Sequence, residues 1–232
     1  PSLPPNPPHP AWAARGDAVG YRWTGDGPTV LLIHGWGGSA GQFGLWIGAL
    51  LRAGFAVAAI DGPAHGASPG DFASAPGIAG AVRAFSRAAG PFDAVVAHSV
   101  GAIAATLALA DGEAFRRAVF VAPCCDVLLS LFEVADGEGL PAEERPALVD
   151  AFHRRFGTDV SLATALARVP VPPPLLILHD PDDEATPYAD AVAAAGAWPG
   201  GRLVEVPGAG HQRILLSRAA LAEAVTFLRE TA

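Results

Sequence analysis

No run in this 232-residue sequence reaches the roughly 18 apolar residues that a membrane span requires, and no basic cluster exceeds the pairs Arg116-Arg117 and Arg154-Arg155. With a formal net charge of −8, that pattern argues against nucleic acid or an anionic membrane as partner. Charged residues are scarce, at 16%, while apolar residues make up 51%. This excludes a disordered chain and favours a buried sheet covered by helices. Lysine and methionine are absent, so all 15 basic residues are arginine and the chain does not begin at an initiator methionine. Cysteine is confined to Cys124 and Cys125. Adjacent residues rarely achieve disulfide geometry, so two thiols in a reducing compartment are expected, and no further Cys or closely spaced His completes a metal site. The start shows no charged, apolar and cleavage-site series, so a cytoplasmic location is expected. Small-molecule chemistry remains.

The length suits one α/β domain. The first ten residues carry six prolines, which predicts an extended arm over residues 1–17 and a single domain over 18–232. Residues 18–24, followed by Gly25-Asp26-Gly27, read as one side of a hairpin leading into the apolar strand 29–33. Further short apolar strands are predicted over 55–60, 92–98, 118–122, 175–178 and 203–206. Helical segments over 41–53, 78–89, 102–110 and 189–197 separate them, and a final helix covers 214–228. Strands alternating with helices point to a doubly wound, mostly parallel sheet, which binds ligands at the carboxyl ends of its strands. Residues 124 to about 170 break the rhythm with an apolar segment, a turn and two helical pieces.

The stretch Val95-Val96-Ala97-His98-Ser99-Val100-Gly101 organises the chain. A β-branched run ends in serine and a small-residue helix begins directly after it, so Ser99 stands on a strand-to-helix turn in front of unpaired helix N–H groups. Such a serine is either a helix N-cap or a nucleophile with donors for an oxyanion beside it. Four more strand ends carry notable loops: His34-Gly35-Trp36-Gly37-Gly38, Asp61-Gly62-Pro63-Ala64-His65-Gly66-Ala67-Ser68, His179 to Pro187, and Pro207-Gly208-Ala209-Gly210-His211. The loop after Leu178 holds four acids within five positions, Asp180, Asp182, Asp183 and Glu184.

From about residue 18 onward these motifs, in this order, resemble the α/β-hydrolase family. Ala97 replaces the first glycine of its G-x-S-x-G elbow, Ala64 a glycine of its D-x-x-G-x-G-x-S loop, and Asp180 and Thr186 depart from its acid-loop pattern. The resemblance implies a serine hydrolase with Ser99 as nucleophile, His211 as general base and Asp183 as acid, with Asp180, Asp182 and Asp126 as alternatives for the acid. It implies an oxyanion hole from the N–H groups of Trp36 and Val100. It also implies a short lid over residues 124–170, with His34, Leu128, Leu131 and Phe132 facing substrate, and no metal or organic cofactor. His65 and His179 are expected to be structural. The expected reaction is hydrolysis of a carboxylic ester or thioester of a small molecule. Carbon–carbon bond hydrolysis, perhydrolysis, or ligand binding by a receptor with little turnover stand as alternatives. An Asp-nucleophile dehalogenase or epoxide hydrolase is disfavoured by Ser99 itself.

Overall fold

A computed structural model describes residues 12–13, 18–156 and 160–230. In chain order the elements are β1 (Trp12–Ala13), β2 (Val19–Trp23), β3 (Thr29–Ile33), α1 (Gly44–Arg52), β4 (Ala56–Asp61), α2 (Ala75–Ala89), β5 (Ala94–His98), α3 (Val100–Ala110) and β6 (Arg117–Val121). Then come α4 (Val127–Gly137), α5 (Arg145–Phe156), α6 (Leu162–Leu166), β7 (Leu175–His179), α7 (Tyr188–Ala197), β8 (Gly201–Glu205) and α8 (Arg218–Arg229). Most of the arm expected over residues 1–17 lies outside the described residues.

The eight strands form one sheet in the order β1-β2-β4-β3-β5-β6-β7-β8, antiparallel at β1 and β2 and parallel from β4 to β8. The central strands are buried on both faces because their side chains alternate between two cores. Leu31, Ile33, Val95, Ala97, Phe120 and Ile177 face α2, α3, α6 and α7. Val30, Leu32, Val96, Val119 and Leu178 face α1 and α8. Serine caps start several helices: Ser74 accepts from Gly77 N, Ser161 from Thr164 N and Ser217 from Ala220 N. Among the described residues no helix is long and apolar enough to cross a membrane.

Two expectations are corrected. The Gly25-Asp26-Gly27 turn does not fold β2 back onto β3. Instead β2 pairs with β4, register Val19↔Asp61 to Trp23↔Val57, because both flanks of β3 are taken by the parallel strands β4 and β5. The hairpin-like partner of β2 is β1, with Trp12 opposite Gly20. The final helix also starts late: residues 213–216 form a 3-10 turn, and Ser217, at ψ 118, breaks the chain before α8.

The chain leaves β3 for β4 on one side of the sheet and returns to β5 on the other. The carboxyl ends of β3 and β5 therefore flank the crevice where an α/β sheet binds its ligand.

Candidate active site

Ser99 follows β5 directly with φ 53 and ψ −126, a conformation that serine rarely adopts. Its N–H bonds Val121 O at 3.1 Å, and its carbonyl accepts from Ala102 N at 3.0 Å, which closes the first turn of α3. Although it occupies the N-cap position, its side chain caps nothing. Two glycines permit this turn. A Cβ on Gly35 would lie 2.7 Å from Ser99 Cβ, and one on Gly101 would lie 2.7 Å from His34 O. Ala97, by contrast, lies within β5 with ordinary backbone, so the missing first glycine of the elbow costs no strain. The alanine at 64 is different: it takes φ 58, the left-handed region that favours glycine.

The Ser99 hydroxyl lies 3.0 Å from His211 Nε2, and His211 Nδ1 lies 2.9 Å from Asp183 Oδ2. These three residues, up to 112 positions apart in sequence, form one continuous hydrogen-bonded chain. Burial works against ionisation of Asp183. The hydrogen bond and charge of His211, with the backbone N–H groups of Thr186 and Ala185, overcome it and hold the carboxyl down at about 2. An ionised Asp183 accepts from His211 Nδ1–H, which leaves Nε2 to accept from the serine hydroxyl. Thr186 adds a further donor: its hydroxyl reaches Asp183 Oδ2 at 3.1 Å.

The other acids considered from sequence have separate duties. Asp180 is buried and receives the N–H groups of Gly208, at 3.2 Å, and Gly210, so it shapes the loop that presents His211. Those N–H groups, Gly210 foremost, hold its carboxyl below the usual range. Asp182 is exposed, and Asp126 accepts from Leu128 N at 2.9 Å at the start of α4.

His98, unnoticed from sequence, braces the same loop. Its Nε2 lies 2.9 Å from His211 O and its Nδ1 lies 3.3 Å from Gln42 Nε2. Donation to the carbonyl fixes the tautomer, with Nδ1 accepting from the amide. Burial and the neighbouring His211 push its pKa down to about 4, so the ring is neutral near pH 7. The only sequence signal was its place, a polar residue closing an otherwise apolar strand directly before Ser99.

The loop after β3 is pinned from two sides. His65 Nε2 accepts from Gly37 N at 3.1 Å while its Nδ1–H donates to Pro63 O. Asp61 accepts from Ala40 N at 2.7 Å, from Ala67 N and from the Tyr21 hydroxyl. Trp36 follows Gly35, which packs on Ser99, and Val100 is the first residue of α3. Among the described residues, neither N–H is paired with an acceptor.

Beside Trp36 lies an apolar cleft of about 330 Å³, lined by Ala64, Phe72, Val127, Leu131 and Phe152 among others. Of the residues expected to face substrate, Leu131 lines this cleft and three do not. His34 is fully buried, with Nδ1 bonded to Gly35 O at 2.7 Å and Nε2 accepting from Gly62 N at 2.8 Å. Leu128 is half-buried outside the lining, and the Phe132 ring lies under the Arg145 guanidinium, 5.1 Å away. His179 is likewise buried, its Nε2 against Thr186 O at 3.0 Å. Burial pushes the Cys125 thiol up to about 12, which leaves it a poor nucleophile. Among the described residues no three His, Cys, Asp or Glu side chains group to hold a metal.

A mostly parallel sheet with a serine at the strand-to-helix turn and a histidine reaching it from the last strand is the architecture of an α/β hydrolase. The chain belongs to the Alpha/beta hydrolase family, whose model matches residues 30–224. No curated protein matches the sequence. Among solved structures it is similar to an esterase from Exiguobacterium antarcticum, with 16% identity over 94% of this chain and 98% of that one and a TM-score of 0.69. It is also similar to the Pyrococcus furiosus esterase Pf2001, with 19% identity, 91% and 87% coverage and a TM-score of 0.69. A third similar structure is mouse alpha/beta hydrolase domain-containing protein 10, with 17% identity, 91% and 92% coverage and a TM-score of 0.67. At these identities the likeness is one of fold.

Proposed function

We propose that the protein is a serine hydrolase acting on carboxylic esters or thioesters of small molecules. The observation that carries this is the hydrogen-bonded chain from Ser99 through His211 to Asp183. His211 Nε2 takes the hydroxyl proton as Ser99 Oγ attacks the carbonyl carbon, and Asp183 holds the imidazole tautomer and stabilises the imidazolium. The N–H groups of Trp36 and Val100 receive the oxyanion; in support, Trp36 follows Gly35, which packs on Ser99, Val100 follows Ser99 directly, and neither N–H has an acceptor among the described residues. His211 then returns the proton to the leaving alcohol or thiol, which departs as the acyl-enzyme forms. Water, deprotonated by the same ring, releases the acid. The segment between β6 and β7, residues 124–170, serves as a short lid over this chemistry.

A fluorophosphonate probe tests the reading. It is expected to label wild type at Ser99 and to leave Ser99→Ala unlabelled, and short nitrophenyl esters are expected to be turned over by wild type alone. Labelling without turnover of any ester would favour a ligand-binding receptor on the same fold. Absence of labelling would remove the mechanism.

A further inference from the structure

Phe72 stands where two depressions meet. The apolar cleft beside Trp36 shares Asp71, Phe72 and Ser74 with a groove of about 580 Å³ that runs along α2 over Gly77, Gly80, Ala81 and Ala84. Asp71 is exposed and Ser74 is buried with its oxygen spent on capping α2, so Phe72 is the one large side chain in the partition. It is 52% exposed, a large apolar ring left in contact with water. It is nevertheless ordered by its neighbours: the ring stacks on Phe156 of α5 at 5.8 Å and 19°, and Phe156 in turn packs on Phe152, a wall of the cleft, at 4.8 Å. The Arg155 guanidinium caps the assembly, 5.8 Å from the Phe72 ring and 5.6 Å from Phe156.

The lining of the cleft suits an uncharged hydrocarbon. Its lining is apolar apart from Ser74 and the carboxylate of Asp71, which repels an anionic group. Beyond Phe72 the groove passes over the small residues Gly77, Gly80, Ala81 and Ala84 of α2, which leaves room there for a longer chain. We propose that Phe72 sets the maximum length of the hydrocarbon arm of the ester. This assignment rests on the hydrolase function proposed above. A chain that fits inside the cleft displaces water from Trp36, Leu131 and Phe152. A longer one meets the Phe72 ring, and admission to the α2 groove requires that ring to leave its stack.

The test is the length profile of kcat/KM, measured with nitrophenyl alkanoates from acetate to laurate and with alkyl acetates of matching length. Enzyme concentrations are set by fluorophosphonate titration so that loss of folded protein does not enter. In wild type, kcat/KM in one series rises about fourfold per added methylene and then drops once the arm reaches the ring. Phe72→Ala is expected to move that maximum to longer esters and to raise the laurate-to-butyrate ratio by at least about tenfold. Phe72→Leu should move it part of the way and Phe72→Trp in the opposite direction. A residue that only packed the loop would lower all esters together and leave the ratio alone. If wild type is labelled and active but no variant shifts the profile in either series, the assignment of Phe72 is overturned and the function stands. If wild type is neither labelled nor active, the function fails and this assignment with it.

Discussion

At the carboxyl ends of β3, β5 and β7, the polar side chains are buried and joined to backbone or to one another: His34 to Gly62, His98 to the His211 carbonyl, Asp180 to Gly208, Asp183 to Thr186. At the amino ends, the sheet carries Arg116, Arg117, Asp93 and Glu230 around a cleft of about 570 Å³. Two pairs there are loose or wet: Arg116 and Asp93 lie 4.0 Å apart, and Arg202 and Glu230, 2.7 Å apart, are both about half-exposed, while the buried Arg117 donates to the Glu230 carbonyl. A cleft of that size therefore also exists at the end without convergent chemistry. What marks the other end is a cluster of buried imidazoles and carboxylates whose partners fix which nitrogen donates and which carboxyl is ionised.

Substitutions can break this contrast, and Asp183→Asn should do so most. An amide in place of the carboxylate leaves the His211 tautomer unfixed, and turnover of a nitrophenyl ester is expected to fall about 10⁴-fold. Asp182→Asn should leave turnover unchanged. Asp180→Asn should fall between the two, because it loosens the loop carrying His211 without touching the ring; a larger loss there than at Asp183 would reassign the acid.

The next effect is on stability. His98 titrates at about 4 when folded and about 6.5 when unfolded, so between those values the unfolded chain binds the extra proton. Stability present above pH 6.5 is thus lost as pH falls towards 4, by about 3 kcal/mol from this group, and changes no further from it below that. Burial also lowers His34 and His179, which steepens the same slope. Urea midpoints across that range should fall with pH in wild type and fall less steeply in His98→Gln. An equal slope in both would show that the buried ring is not what makes this end acid-sensitive.

Ala64→Gly sharpens the contrast more gently. It relieves a left-handed alanine in the loop under the site and should raise stability by about 1 kcal/mol, or Tm by roughly 2–4 °C. The smallest effect is expected at the opposite end, where Arg202→Ala should change unfolding free energy by no more than about 0.5 kcal/mol and leave activity intact.

That Ser99, Asp183 and His211 meet was legible because each follows an apolar strand and two of them sit among small residues, a local pattern that survives without coordinates. Asp180 was not, since four clustered acids look alike until the directions of the Gly208 and Gly210 N–H groups separate an anchor from a proton partner. His98 and Gln42 act through contacts 113 and 56 residues away, which no spacing rule encodes. The doubly wound sheet followed from two-sided apolar strands. The partner of β2 did not, because a turn signal says that the chain bends and nothing about which neighbour is already occupied. Which apolar residues line the cleft was not legible: side chains on α4 share one composition whether they line it, as Leu131 does, or lie beneath an arginine, as Phe132 does.

The backbone at Ser99, turned to φ 53, holds a shape that glycine occupies more readily than serine. A lineage released from its chemistry and selected for folding alone would therefore drift to glycine at this position early. Its descendant would keep the sheet and the imidazole–carboxylate pair, gain thermal tolerance, and survive as an inert scaffold.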